Sequence, residues 1–243
     1  RSVILREALW AGIFISLSVM LSATVSVQNQ SSPIINFLSG TTGTFGLIMV
    51  VFAGTMLFTA NTFVITLGAL KKTITWLELV KVIVAVYFGN WIGTLILSLV
   101  YKGSGHLAGA YAQYYISAFS SKLDLSFMQI MLRGFLCNIL VCAAIWSTHR
   151  FSSFSAKFMI IFFALTAFIA TGYENSIASM SQGSLALLAP GGLEAIGIGN
   201  YLRIVFTDTL GNILAGVLVF ALPLWLFSKH SKAELEEHQE HVF

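Results

Sequence analysis

The sequence Ala-Thr-Gly-Tyr-Glu-Asn-Ser-Ile-Ala-Ser-Met, residues 170–180, interrupts a long apolar run. Residues 158–169 before it are almost entirely hydrophobic, and residues 184–189 after it are mostly apolar. Glu174 therefore lies near the middle of a segment that is predicted to span a membrane. Lipid cannot hydrogen-bond free backbone groups or solvate a charge, so such a break has to face protein or a water-filled cavity. We interpret it, with a partner at residues 54–62, as the centre of a transport pathway.

The composition is typical of an integral membrane protein. Of the 243 residues, 57% are hydrophobic and 9% are charged, whereas soluble domains carry about 25% charged residues. The net charge of +3 is small, so a nucleic-acid partner is not indicated. The first apolar run, 8–27, is too long for the core of a secretory signal and lacks a convincing cleavage site, so we expect no cleavable signal peptide.

Apolar runs of the roughly 20 residues needed to cross a bilayer occur six times, at 8–27, 43–70, 79–101, 127–148, 155–188 and 197–228. They do not alternate apolar and polar residues, which argues against barrel strands. With the N-terminus inside, nine of the 13 Lys and Arg residues lie on the cytoplasmic side, as the positive-inside rule requires. We predict an all-α protein with one transmembrane domain, 1–228, a polar cytoplasmic tail, 229–243, and both termini in the cytoplasm.

Two connecting segments are assigned to the outer face. Residues 28–40 carry no charge and are predicted to form a loop. Residues 103–125 mix Gly, Ser, Ala and Tyr, which predicts a partly helical segment at the membrane interface. Its tyrosines, Tyr111, Tyr114 and Tyr115, are expected to anchor it there.

The sequence contains an internal repeat. A Gly-Asn pair at 89–90 recurs at 211–212, 122 residues later, and the break at Gly54 corresponds to the break at Gly172, 118 residues later. Each repeat holds three spans, an odd number, so the two halves must be inserted in opposite directions. Such inverted repeats place their substrate site at the midplane, between paired broken helices.

The halves are roughly residues 1–101 and 127–228, and the broken helices are the second and the fifth. Glycine at each break lets one helix end and the backbone turn. Thr59 and Ser176 are predicted to cap the half-helices that follow. The N-terminus of a half-helix carries partial positive charge and free N–H groups, so two of them facing one point would favour a small anion.

Four polar side chains are open to two interpretations each. Thr59 is a pore hydroxyl or only a helix cap, and Asn138 faces the pore or joins helices. Glu174 ties the break together by bonding to the loop backbone, or it transfers protons. Lys122 concentrates anions by its field, or it is an ordinary solvated lysine.

Other residues have weaker patterns. Phe58 and Phe168 flank the breaks and form apolar constrictions or simply pack. Arg203 and Asp208 are placed near the start of the last span, at the interface, without a function. No nucleophile–base pair and no metal, haem or nucleotide motif is present, so we expect neither enzymatic activity nor a cofactor or metal. A His-rich metal site in the tail is a weak alternative.

The chain resembles the formate/nitrite transporter family, which includes formate, nitrite, hydrosulfide and lactate permeases. The resemblance covers nearly the whole chain and is carried by six stretches, at 11–12, 57–62, 87–93, 137–142, 172–174 and 210–212. It implies an aquaporin-like fold and a homopentamer in which every protomer has its own pore.

The resemblance also implies functions for individual residues. Leu57, Phe58 and Thr59 would form the break in the second helix, and Asn138 would reach the pore. Lys122 would be the lysine of the vestibule. The cytoplasmic constriction would consist of Leu47, Phe58 and Val141, and the outer one of Phe168.

Two positions depart from the family pattern. The family usually has Glu-His in the fifth-helix break, where this chain has Glu174-Asn175, and an acidic residue before Leu-Phe-Thr, where this chain has Met56. The first departure concerns mechanism, because that histidine is held to protonate or polarise the passing anion. Asparagine at 175 cannot titrate, but it can still donate a hydrogen bond to the substrate.

From these patterns we expect a pentameric permease of the inner membrane for small monovalent anions of the formate, nitrite or hydrosulfide kind. Apolar constrictions penalise a bare charge, so passage as the neutral acid, or with a proton, would be easier. The alternative with the same fold is a water or neutral-solute channel, since Asn175 cannot titrate. The sequence does not identify the physiological anion.

Overall fold

The computed structural model describes residues 2–229, and all regular secondary structure in that range is helical. Eleven α-helices and one π-helical turn follow in order: α1 Ser2–Gln28, α2 Ile35–Gly43, α3 Phe45–Phe52, α4 Phe58–Leu70, α5 Trp76–Gly103, α6 Gly109–Ser120, α7 Phe127–Thr148, α8 Phe154–Ala170, α9 Ser176–Leu188, α10 Gly192–Ile196, α11 Ile198–Ala215 and the π-turn Gly216–Ala221.

Within residues 2–229, five segments are long and apolar enough to cross a membrane: α1, α2 with α3, α5, α7, and α11 with its continuation to Lys229. The shorter helices α4 and α8 are also apolar. The chain is therefore a multi-pass membrane protein, as its composition predicts. The predicted tail at 229–243 lies outside the described residues except for Lys229.

Two long helix pairs form the frame, α1 with α5 and α7 with α11. Glycine permits the close approach in both pairs, because a Cβ at Gly93 would overlap the Leu9 carbonyl and one at Gly211 would overlap the Met131 carbonyl. Small residues let membrane helices pack through their backbones in this way. The same close backbone packing therefore occurs in both pairs.

Both breaks have the same backbone. Gly54 follows the end of α3 with φ +68°, and Gly172 follows the end of α8 with φ +73°. The two amides after each helix turn back onto it, for example Thr55 N–H to the Val50 carbonyl at 3.0 Å. This is a Schellman motif, which needs a left-handed residue and therefore glycine. Glycine thus ends each helix, as predicted.

The structure corrects the prediction for residues 28–40. Helix α2 begins at Ile35, so only the first part of this stretch is a loop. The Ser39 hydroxyl bonds to the Ser22 and Ser26 hydroxyls of α1 at 2.8 and 2.7 Å. An uncharged stretch suits an outer loop and a helix packed on α1 equally well, so composition alone did not separate them.

The segment 103–125 is partly helical, as predicted, because it contains α6. Its tyrosines do not share one environment. Tyr115 is fully buried, which contradicts an interfacial anchor, and Tyr114 faces an internal cavity. The aromatic ring of Tyr115 contacts Tyr101 of α5 at 6.2 Å between centroids, so packing between helices determines its position.

Candidate functional site

A cavity of about 540 Å³ lies between helices α1, α2, α3, α7, α8 and α9. We call its exposed end the mouth, where Gln30 and Asn36 line it. Its other end, the floor, is formed by Leu47, Leu57 and Val141, whose side chains are at most 2% exposed. The cavity is therefore open at one end and closed by apolar side chains at the other.

The wall of the cavity is polar on two sides. Serines 18, 22, 26 and 39 of α1 and α2 line one side, and the residues of the second break line the other. Phe168 of α8 lies beside the break and also lines the cavity. A small polar molecule would therefore find hydrogen-bonding groups along the walls but none at the floor.

Lys122 and Glu174 form an ion pair in the wall, with 2.6 Å between Nζ and Oε2. Their side chains are only 12% and 9% exposed. The lysine also lies over the Phe119 ring at 5.5 Å. Lys122 is therefore not an ordinary solvated lysine, and the Glu174 carboxylate does not bind the loop backbone as predicted, because Lys122 supplies a charged partner 52 positions away in the sequence.

The first turn of α9 is capped by Asn175, not by Ser176 as predicted. The Asn175 Oδ1 accepts from the amides of Ile177 at 3.0 Å and Ala178 at 3.2 Å. The Asn212 Oδ1 accepts a hydrogen bond from the Ser176 amide at 2.9 Å. The first three amides of α9 therefore already have partners. The expected free N–H groups for an anion are therefore not present at this helix end.

The half-helix α4 differs, because no side chain of its own caps it. Thr59, the predicted cap, is the second residue of the helix, and its Oγ1 is buried without a hydrogen-bond partner. Asn90 of α5 instead accepts from the Phe58 amide at 2.8 Å. The prediction placed the cap of α4 two residues too late and the cap of α9 one residue too late, because each helix begins before its hydroxyl residue could act as N-cap.

The Asn90 side chain of α5 forms hydrogen bonds with the backbone of the first break. Its Nδ2 donates to the carbonyls of Ala8 at 2.7 Å and Met56 at 2.9 Å, while its Oδ1 binds the Phe58 amide. The side chain is fully buried. One amide therefore joins α1, the end of the break and the start of α4.

Asn212 does the same for the second break. Its Nδ2 donates to the carbonyls of Gly134 at 2.8 Å and Glu174 at 3.2 Å, and its Oδ1 binds the Ser176 amide. The sequence repeat contains both asparagines, but the sequence gives no sign that each reaches across to a break. A lone amide in an apolar helix is the signal that was available.

Thr59, two residues after the floor residue Leu57, contacts Asn138, and neither residue lines the cavity. The Asn138 Nδ2 donates to the Thr59 carbonyl at 3.2 Å, the Thr62 hydroxyl at 3.1 Å and the Asn212 carbonyl at 2.6 Å. These contacts join three helices. The Oδ1 of Asn138 and the Oγ1 of Thr59 remain without partners, so two polar atoms are free to bind a small guest.

Of the other residues predicted at the breaks and constrictions, some line the cavity and some do not. Gly172 and Asn175 line the cavity, whereas Gly54 and Phe58 do not. The Phe58 ring packs edge-on against Tyr87, with 4.8 Å between centroids, and is 2% exposed. The cavity therefore includes the predicted residues of the second break, whereas Leu57 is the one predicted residue of the first break that lines it.

Asp208 is a buried acid that the sequence misplaced. It was predicted at the interface, but it is fully buried. It lies ten residues into α11, about 15 Å along the helix, which is half the thickness of a bilayer core of about 30 Å. Its Oδ2 lies 2.8 Å from the Ser179 Oγ, within hydrogen-bond distance. The signal available in the sequence was an acidic residue within an apolar helical run.

Sequence comparisons identify relatives across nearly the whole chain. A family model described as formate/nitrite transporter matches residues 2–226. The nitrite transporter NirC of Salmonella typhimurium is 33% identical over 226 residues, which cover 91% of this chain and 82% of that protein. The formate channel FocA of Escherichia coli is 28% identical over 240 residues, covering 90% of this chain and 84% of that protein.

Solved structures are similar as well. A channel described as an FNT family ion channel matches with a TM-score of 0.85 at 30% identity, covering 92% of this chain and 89% of that one. A pentameric formate channel with formate bound matches with a TM-score of 0.81 at 29% identity, covering 93% and 96%. With its helix frame, its paired breaks and these matches, the chain belongs to the formate/nitrite transporter family.

Proposed function

We propose that this protein conducts small monovalent anions of the formate, nitrite or hydrosulfide kind across the inner membrane. The observation that carries the proposal is the cavity, which has a lysine in its polar wall and an apolar floor. The similar proteins are named as nitrite transporters and formate channels, and both anions have small neutral conjugate acids. A lysine in the wall and anion-transporting relatives do not favour the alternative of a water channel.

The proposed topology has six crossings. The second consists of α2, α3 and α4 and is broken at Gly54, and the fifth consists of α8 and α9 and is broken at Gly172. The halves 1–101 and 127–228 are inserted in opposite directions, with both termini in the cytoplasm. Matching Schellman turns and matching asparagine contacts support this aquaporin-like arrangement.

A homopentamer is the proposed assembly. One structural neighbour is described as pentameric. Each protomer also has a large apolar surface on α5 and α11, where side chains such as Phe88, Ile92, Phe206 and Leu210 are between 46% and 50% exposed. Lipid covers part of such a surface, and neighbouring protomers would cover the rest.

The wall and the floor have different effects on a passing anion. At the wall, the anion competes with Glu174 for Lys122, so a charge is accepted there. At the floor, Leu47, Leu57 and Val141 offer no hydrogen bond, so a bare charge is strongly disfavoured. A neutral acid crosses such a barrier more easily. Below the floor, the free oxygens of Thr59 and Asn138 would accept a hydrogen bond from the acid.

The phenylalanines have different positions in this scheme. Phe168 lines the cavity beside the second break, which supports its predicted place in the outer constriction. Phe58 follows the floor residue Leu57 and packs on Tyr87. It would stiffen the inner constriction, because its ring fixes the start of α4.

Uptake into proteoliposomes tests the proposal. We expect formate, nitrite or hydrosulfide to enter far faster than glycerol, and faster at lower pH, where more neutral acid is present. The variant Lys122→Gln leaves Glu174 unpaired in the wall, so it should slow anion uptake by about tenfold. That factor corresponds to about 1.4 kcal/mol, within the range for a charge pair near a protein surface.

Lys102→Gln is the matched control, since Lys102 is an exposed lysine at the end of α5 that does not line the cavity. Both variants should be measured at low ionic strength, because charges further apart than about 8 Å are screened at physiological salt. Equal uptake by the two variants would remove Lys122 from the pathway. Glycerol swelling without anion uptake would favour the neutral-solute channel instead.

A further inference from the structure

The Ser179 hydroxyl lies between two carboxyl groups. Its Oγ is 2.8 Å from Oδ2 of Asp208 and 3.3 Å from Oε2 of Glu174. A serine hydroxyl has one hydrogen to donate, and an ionised carboxylate has none. One hydrogen can point at only one of the two oxygens, so two linear hydrogen bonds form here when one of the two carboxyl groups carries a proton.

The position of that proton follows from the charges nearby. Glu174 is paired with Lys122 at 2.6 Å, so it is the carboxylate. Asp208 has no cationic partner among the described residues, is fully buried and has an Oδ1 without any hydrogen bond. An ionised carboxylate in that position would be very costly in an apolar interior. The proton therefore belongs on Asp208.

Titratable groups on several elements that pack around Asp208 lie close to it. Glu174 and Lys122 are the charged ones, from the second break and the segment after α6. The Cys137 thiol on α7 and the Tyr87 phenol on α5 also face it. Arg203, on α11 itself, instead donates to the carbonyls of Leu123 and Leu125. Lys122 is thus the one cation among the described groups around Asp208, and it is already paired with Glu174.

We propose that Asp208 is a proton-binding site of the anion pathway, connected to the cavity through the Ser179 hydroxyl and Glu174. Ser179, Glu174 and Lys122 line the cavity, whereas Asp208 lies behind them. This inference rests on the proposed function and adds to it the residue that supplies the proton. It gives the chain a titratable group at the midplane although Asn175 cannot titrate.

The transfer balances in two steps. When an anion binds Lys122, Glu174 loses its cationic partner. The Asp208 proton then passes to the Ser179 oxygen while the Ser179 hydrogen passes to Glu174, leaving an Asp208 carboxylate and a neutral Glu174 acid. Next, Glu174 gives its proton to the anion, which leaves as the neutral acid. A hydronium ion from the bulk solution then protonates Glu174 and leaves a water molecule, and the proton passes through Ser179 to restore Asp208.

Infrared spectroscopy tests whether Asp208 is protonated, and it requires no transport measurement. The carbonyl stretch of a protonated carboxylic acid is separate from that of a carboxylate, so the wild-type protein at neutral pH should show it. The band should be absent from Asp208→Asn. In Ser179→Ala, which keeps the acid and removes its hydrogen bond, the band should remain and shift. A wild-type spectrum without the band overturns the proposal even if Asp208→Asn does not assemble.

Uptake of formate into proteoliposomes tests the route. Positioned proton-transfer groups contribute about 10²- to 10⁴-fold to reaction rates, so Asp208→Asn and Ser179→Ala should each slow uptake by about tenfold or more. Ser181→Ala is the matched control, because Ser181 is a buried serine on α9 whose hydroxyl has no partner. It should leave uptake and the infrared band unchanged.

The outcomes separate the two proposals. Wild-type rates in Asp208→Asn and Ser179→Ala would overturn the proton route and leave anion transport standing. Absence of anion uptake by the wild-type protein would overturn the proposed function, while the infrared band would still decide whether Asp208 carries a proton.

Discussion

The two breaks share a backbone and differ in their side chains. Each follows a glycine with positive φ, at Gly54 and Gly172, and each is held by a buried asparagine from the long helix of its own half, Asn90 or Asn212. The first break contains no charge. The second contains Glu174, which is paired with a lysine across the cavity wall.

The helix starts differ as well. Asn175 and Asn212 together occupy the first three amides of α9, whereas α4 has no cap from its own side chains. Residues of the second break line the cavity, and Leu57 is the part of the first break that forms the floor. The two breaks therefore share a backbone geometry, while the second places polar side chains at the cavity and the first places the apolar Leu57 there.

Replacing Asn90 or Asn212 should have the largest effect on the free energy of unfolding. Asn212→Ala leaves the Ser176 amide and the carbonyls of Gly134 and Glu174 without their partner, and Asn90→Ala has equivalent consequences in the first break. A buried unsatisfied group costs about 1–3 kcal/mol. We expect each variant to lower the free energy of unfolding by about 3 kcal/mol, measured by thermal unfolding in detergent.

Asn29→Ala is the control, since Asn29 makes one exposed bond to the Val25 carbonyl. Its effect should stay within about 0.5 kcal/mol. Equal losses for Asn90→Ala and Asn212→Ala would mean that the two breaks are energetically equivalent. A much larger loss for Asn212→Ala would show that the charged network, and not only the backbone, depends on this asparagine.

Alanine at the glycines should have an intermediate effect. At Gly54 and Gly172, a Cβ would meet no atom within 4 Å, so the cost comes only from positive φ. That conformation costs about 1–2 kcal/mol for an alanine. We expect Gly54→Ala and Gly172→Ala to destabilise the protein by about 1–2 kcal/mol each, measured in the same unfolding assay.

Gly103→Ala is the matched control, because a Cβ there also meets open space and φ is not positive. It should be neutral or slightly stabilising, since alanine favours a helix over glycine by about 1 kcal/mol. If all three variants behaved alike, the left-handed turns would not be the element that ends the helices at the two breaks.

The variant Asn175→His should have the smallest effect on stability and adds a titratable group to the second break. The cap on α9 is lost, at about 1 kcal/mol. Histidine titrates with an unperturbed pKa of about 6.5, so formate uptake should gain a pH-dependent step between about pH 5 and 8. The measurement compares both proteins after correction for substrate speciation. Superimposable curves would mean that position 175 does not control protonation in the pore.

Several functional contacts could not be read from the sequence because they join distant positions. The sequence places Glu174 in a break, but its partner Lys122 is 52 residues away, and the contact depends on how α6 and α9 pack. Asp208 was predicted near the start of the last span, at the interface. That span was predicted to begin at residue 197 and α11 begins at Ile198, so the helix start was nearly right. The burial of Asp208 instead depends on the helices that pack around it, which composition does not reveal.

The sequence by itself determined the membrane class, the paired breaks and the family, because hydrophobic length, glycine positions and a Gly-Asn repeat are local properties of the chain. Only the tertiary structure decided which groups satisfy one another. It replaced Thr59 and Ser176 as caps with Asn90, Asn212 and Asn175, and it connected Asp208 to the cavity. The physical reason is that a buried polar group binds whichever partner the packing of distant helices brings within hydrogen-bond distance.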